Sequence, residues 1–277
     1  MSRALLNVRN LTITYKPQTG SSVMAVKDVS LRVEPGEVLG ILGESGSGKS
    51  TVAAAIMRLL PATAHCTGSI SLHGRDVLEM KQGELREVRG RHISIISQDP
   101  ASSLNPVMRA GTQISEVLRA HTALSRTERK QRVHELLCEV GLDQTKKIAG
   151  SYPHQLSGGQ RQRVAIAQAI ACRPDLVIAD EATSKLDAHL QIQIIELMSA
   201  LIRRHGTALL WITHDPATLV GFADRVAIMH AGEMIEEGTA RDIFRRPGQP
   251  YTQQLMRVAQ QCTLTSSAVA GGLEYAD

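Results

Sequence analysis

Val38-Leu39-Gly40-Ile41-Leu42-Gly43-Glu44-Ser45-Gly46-Ser47-Gly48-Lys49-Ser50-Thr51 is the stretch whose reading decides the fold. Its first five residues are an apolar run that reads as a buried strand, and Gly43 to Ser50 fit G-x-x-x-x-G-K-[ST]. Thr51 to Leu60, rich in alanine and leucine, reads as a helix. Strand, loop and helix in that order make a phosphate cradle. The glycines let backbone N–H groups point inward, and the helix presents its positive end. Lys49 is placed to reach β- and γ-phosphates, and the Ser50 hydroxyl to ligate Mg²⁺. The bland alternative is a glycine-rich turn that binds nothing. Strand, loop, lysine and helix together weigh against it.

On the N-terminal side, residues 4–15 and 23–33 alternate apolar and polar positions, with Leu11, Ile13 and Tyr15 in one and Val29, Leu31 and Val33 in the other. A turn-rich connector, 16–22, joins them into an antiparallel unit. Tyr15 stands at a strand end, where its ring can stack on a base or serve as a half-buried strand aromatic. On the C-terminal side, Pro61 stops regular structure, Gly68 to Gly74 reads as a short hairpin, and Arg75 to Arg91 reads as a solvated linker. His92 to Ser97 is a strand that delivers Gln98-Asp99-Pro100, where proline ends the ladder.

From Ser102 to about Ala149 the periodicity becomes helical. Ile114, Val117, Leu118 and Leu124 mark one amphipathic helix and its exit. Val133, Leu136, Leu137 and Val140 mark a second, closed by Gly141. Leu156-Ser157-Gly158-Gly159-Gln160 then opens a helix through Ala171. Ser157 suits an N-cap, yet two glycines where one suffices favour close approach of something to the backbone. Leu176 to Ala179 is an apolar strand ending in Asp180-Glu181, paired carboxylates that call for Mg²⁺ and water beside them. Asp187 enters a helix to about Arg204, with Ile192, Ile195, Leu197, Met198, Leu201 and Ile202 expected to pack inward. The strand Ala208 to Ile212 ends at His214, and a hairpin turns at His230-Ala231-Gly232. The remainder contains an expected helix over 251–260 and a small-residue end expected to be mobile.

Composition narrows the class. Over 277 residues, 43% hydrophobic and 21% charged content describe an ordinary globular chain, and a net charge of +4 with no basic tail does not support a nucleic-acid surface. Cys66, Cys138, Cys172 and Cys262 lie far apart without C-x-x-C spacing, which fits isolated thiols in a reducing compartment. No apolar run reaches the length of a membrane span, so membrane association is expected through another protein.

The ordered set of phosphate loop 43–51, Gln98, Leu156 to Gln160, Asp180-Glu181, Asp187 and His214 resembles the ATP-binding subunits of ABC transporters, over residues from about 5 to 240. The runs Ser103-Leu104-Asn105-Pro106 and Pro250-Tyr251-Thr252 resemble the oligopeptide, dipeptide and nickel importer branch. The resemblance implies an α/β fold: a P-loop, RecA-like core sheet with an antiparallel β subdomain (both within 1–96 and 157–240) and an inserted α-helical subdomain at about 97–156. It implies a nucleotide-binding domain over 1–260 and a C-terminal extension at 241–277.

By the same resemblance, ATP lies against Gly43, Ser45, Gly46, Ser47, Gly48, Lys49, Ser50 and Thr51, with Tyr15 on adenine. Ser157, Gly158, Gly159 and Gln160 of one subunit cap the ATP held by another, and Asp187 links the two sites. Ser50, Gln98 and Asp180 serve Mg²⁺ or its water shell, Glu181 is the general base or the residue that orients the water, and His214 contacts the γ-phosphate. The implied partners are two transmembrane permeases, a second ATP-binding subunit, identical or homologous, and indirectly a solute-binding protein, at the cytoplasmic face of the membrane. Peptides are the first expectation for the solute, and nickel or a metal chelate the second. A DNA-repair or chromosome-organising ATPase head shares these motifs, but needs a long heptad insertion or zinc-binding cysteine pairs. The chain departs from the family pattern at Ala182, in place of proline, at Lys185, in place of alanine, and at Ser97, where an aromatic is frequent. Lys185 is expected to stand as a flexible cation near the subunit interface.

Overall fold

Val38–Leu42 forms strand β3, and all five of its residues are buried. The cause is its position, since it pairs in parallel with strand β8 (Ala208–Thr213) on one side and β9 (Arg225–His230) on the other. A strand inside a parallel sheet has both faces covered, so apolar residues occupy consecutive positions. The computed structural model describes residues 4–16, 21–99 and 103–257. Within them the central sheet has the order β10-β9-β3-β8-β7-β6, with β6 at Ile93–Ile96, β7 at Leu176–Asp180 and β10 at Glu233–Thr239. Only β10 runs antiparallel, as the second arm of the hairpin that turns at Ala231-Gly232.

Strand pleat divides the sheet's side chains between two cores. Leu39, Ile41, Ile178, Leu210 and Ile212 pack with helix α1 (Lys49–Ile56) and a second sheet. That sheet is antiparallel, order β2-β1-β4-β5, with β1 at Leu6–Tyr15, β2 at Val23–Val33, β4 at Ala64–Leu72 and β5 at Arg75–Asp76. Leu42, Ile96, Val177, Leu209 and Trp211 face the other core with the helical segment. There helices α3 (Ala110–His121), α4 (Arg126–Glu139) and α5 (Thr145–Gly150) pack on one another, and α3 and α4 pack on α6 (Gly158–Ala169).

Four local expectations are corrected. Residues 68–72 are the second half of the long strand β4, and only His73-Gly74 makes the hairpin turn to β5. Residues 75–91 hold strand β5 and helix α2 (Gln82–Val88), and the region contributes Val77, Met80, Leu85 and Val88 to the core. Helix α1 starts two residues earlier than expected and stops at Ile56, because Arg58 turns into left-handed backbone at φ 51°. On helix α7 (Ala188–His205), Ile192 is exposed, Ile195 and Leu197 are half-buried, and Ile194 joins Met198, Leu201 and Ile202 in the core. The expected helix 251–260 is present from 250 to 257, and its continuation, with the small-residue end and Cys262, lies outside the described residues.

Candidate nucleotide site

Four parallel strands end on the same edge of the sheet. β3 delivers the phosphate loop, β7 Asp180 and Glu181, β8 His214, and β6 Gln98. The carboxyl edge of an open parallel sheet is where α/β proteins place ligands. The loop is held from behind. A Cβ on Gly43 would lie 2.1 Å from the Met229 carbonyl oxygen, and Ser47 O accepts the Gly232 N–H at 3.0 Å. Gly48, at φ 104°, turns the chain into α1 with no side chain to cap it. Thus the first N–H groups of α1 are not covered by a side-chain cap and remain available to an anion.

Lys49 is 4% exposed and donates to Gly43 O and Glu44 O, both at 2.8 Å, and to Ser47 Oγ at 3.4 Å. Burial lowers its ammonium pKa, against the pull of Glu181, Asp180 and Glu44. Ser50 Oγ donates to Asp180 Oδ1 at 3.0 Å. Burial pushes the Asp180 carboxyl up, aided by the neighbouring Glu181 charge, so a cation beside it is favoured. A hydroxyl and a carboxylate are hard oxygen donors, which fits Mg²⁺. Glu181 is the centre of the arrangement. Its Oε2 accepts from Gln98 Nε2 at 2.9 Å, while His214 Nδ1 lies 3.1 Å from its Oε1. Its backbone is left-handed at φ 48°, held by an N–H bond to Ile212 O at 2.9 Å. A non-glycine residue seldom adopts that region, so the surrounding contacts hold it there.

Tyr15 is half-buried, with its hydroxyl 3.5 Å from Thr51 Oγ1 at the start of α1. Ser45 and Gly46 are exposed on the loop, and Ser47 is buried behind it. Ser157 and Gln160 form a capping box on α6, with Ser157 Oγ accepting the Gln160 N–H at 3.2 Å and Gln160 Oε1 accepting the Ser157 N–H at 3.0 Å. Gly159 packs against Leu190, but a Cβ on Gly158 would meet nothing within 4 Å. Among the described residues no hydrogen bond joins 157–160 to 43–51. Asp187 caps α7 by accepting the Leu190 N–H at 2.9 Å.

Two neighbours of the site carry more than their sequence signal. Lys185 is paired with Asp99, Nζ to Oδ2 at 3.0 Å, so it is tied beside Gln98 within its own chain. Tyr251 packs on His230, ring centroids 4.0 Å apart, and lies beside Glu44 of the phosphate loop, where burial raises its phenol pKa. The Pro250-Tyr251-Thr252 run gave the signal for it, without a role.

Loop, carboxylates and strand order define a P-loop nucleotide-binding protein. Residues 26–184 match the family model described as ABC transporter. The chain belongs to that family. It is similar to the oligopeptide transport ATP-binding protein OppD of Escherichia coli, 45% identical over 253 residues that are 91% of this chain and 75% of that protein. It is 46% identical over 257 residues to the peptidoglycan transport ATP-binding protein YejF of Agrobacterium fabrum, covering 92% of this chain and about half, 47%, of that longer protein. Among solved structures it resembles the dimeric post-hydrolysis state of the ATP-binding cassette MJ0796 bound to ADP and Pi, at 32% identity and a TM-score of 0.76 over 85% of this chain and 99% of that one. No helix among the described residues is long and apolar enough to cross a membrane.

Proposed function

We propose that this chain is the ATP-binding and ATP-hydrolysing subunit of a bacterial ABC importer for di- or oligopeptides. The observation that carries the reading is the convergence of Gln98 and His214 on the Glu181 carboxylate, at the strand ends beside the phosphate loop. The two contacts orient both oxygens of a carboxylate that is 11% exposed, as required of a base that accepts a proton from an attacking water. Lys49 and the N–H groups of α1 bind the β- and γ-phosphates, Ser50, Gln98 and Asp180 hold Mg²⁺ or its water shell, and Tyr15 stacks on adenine. When Mg²⁺ is bound, it neutralises charge on the phosphate oxygens.

The second half of the mechanism is intermolecular. Among the described residues nothing lies within 4 Å of a Cβ placed on Gly158, and the open space over it suits the phosphates of ATP on a second subunit. Asp187 stands one short loop from Glu181, suited to linking the two sites. Two permeases dock through the region of Gln98 and the helices between 110 and 150, and a solute-binding protein delivers the cargo. The subunit then works at the cytoplasmic face of the membrane, held there by the permeases. The names of the relatives favour peptides over nickel. The test is phosphate release by the assembled transporter. A peptide-loaded binding protein stimulates it and a nickel-loaded one does not; stimulation by nickel alone reverses the assignment.

A further inference from the structure

The opposite edge of the sheet carries a second cluster, unrelated to the nucleotide. His73 lies in the turn between β4 and β5, His92 precedes β6, and Asp175 precedes β7. Asp175 and Asp180 bracket a single strand and are therefore about 16 Å apart. His73 Nε2 lies 3.0 Å, and His92 Nδ1 2.7 Å, from the same oxygen, Asp175 Oδ2. One ligand atom from each residue falls within 4.8 Å of the other two. The two rings meet edge to face with centroids 5.8 Å apart.

We propose that His73, His92 and Asp175 form a binding site for one Zn²⁺ ion. Two imidazoles and one carboxylate are a borderline donor set, which takes Zn²⁺ and disfavours Mg²⁺ and Ca²⁺. Tetrahedral bonds of about 2.0–2.1 Å put ligand atoms about 3.3 Å apart. To reach that spacing the two nitrogen–oxygen distances open by roughly half an ångström, and the two ring nitrogens, now within 4.8 Å of each other, draw closer. The backbones are already fixed: His73 N–H donates to Leu5 O at 2.9 Å, His92 O accepts from Leu176 N–H at 3.0 Å, and Asp175 O accepts from Ala208 N–H at 2.8 Å. Side chains that are 42–50% exposed leave the fourth position to water.

Both rings already meet the Asp175 carboxylate at a single oxygen. His73 also occupies left-handed backbone at φ 51°, the first central position of a tight two-residue turn, where asparagine or glycine is preferred. An ion held there joins the antiparallel sheet, through His73, to the central sheet, through residues 92 and 175.

The test uses the full chain, stripped with a chelator and titrated with Zn²⁺ against a chromophoric competitor in the presence of excess Mg²⁺. Asn is the favoured residue at that turn position, so His73→Asn keeps the fold, and His92→Gln is a second variant; ATP binding checks both. The expected result is one saturable equivalent in the unaltered chain, at least about tenfold weaker in each variant. Co²⁺ should give a tetrahedral visible absorption band that His73→Asn abolishes. Equal affinity in the variants places the ion elsewhere and overturns the proposal, as does the absence of saturable uptake.

Discussion

Two helix starts in this protein share glycines and a serine, and differ in who needs them. At the start of α1, the chain itself demands glycine: Gly43 passes against the Met229 carbonyl, and Gly48 turns the loop at φ 104°. At the start of α6, Ser157 caps its own helix in an ordinary way, and Gly158 faces open space. The first is a loop whose glycines its own chain requires. The second is a surface that makes sense when another subunit's nucleotide closes over it. A motif that its own fold does not require points outward.

That contrast can be broken by substitution. The largest effect is expected at Gly43→Ala, where the added methyl meets backbone that cannot move aside. Stability should fall by about 3 kcal/mol, measured by denaturant unfolding, and ATP binding with it. Glu181→Gln should leave ATP binding within the normal range and lower turnover at least ~10²-fold in a phosphate-release assay, as expected for a lost base. Near-normal turnover would remove Glu181 from that role.

Asp180→Asn separates stability from function. The folded-state pKa of Asp180 is raised, so its ionised form opposes folding. The cost grows as pH rises through the unfolded value to the folded one. The variant should therefore raise the Tm of the nucleotide-free protein at pH 7 by a few degrees, and lose that advantage in acid, while its Mg²⁺-dependent turnover collapses. The smallest effect is expected at Lys185→Ala. The Lys185–Asp99 pair is half-exposed, and breaking it should change stability by less than about 1 kcal/mol.

The strand ends that carry the candidate site were legible because they sit where periodicity changes. An apolar run ending in Asp180-Glu181, or one ending at Gln98, locates a strand's carboxyl end, and parallel pairing puts those ends together. What failed to show was burial decided by distant partners. Leu85 and Val88 lie in a polar run, and only packing beneath the antiparallel sheet makes them core. Ile192 and Ile194 have the same chemistry on one helix, and their exposure depends on what α7 meets. Lys185 read as a loose cation because its partner, Asp99, is 86 residues away in sequence and adjacent only in the fold. The Zn²⁺ cluster was equally invisible, since His73, His92 and Asp175 have no ligand spacing until three strands align them.

The most direct measurement is Gly158→Asp in the assembled transporter, with ATP binding, Tm and turnover read on the same preparation. No described residue lies within 4 Å of the new Cβ, and an acid in the first turn of α6 favours the helix by about 0.3–1 kcal/mol. The expected result is an unchanged or raised Tm, unchanged ATP binding, and turnover reduced at least about tenfold by repulsion of the facing phosphates. Full turnover with a carboxylate at that position would contradict the account, and leave the phosphate loop as a site complete in one chain.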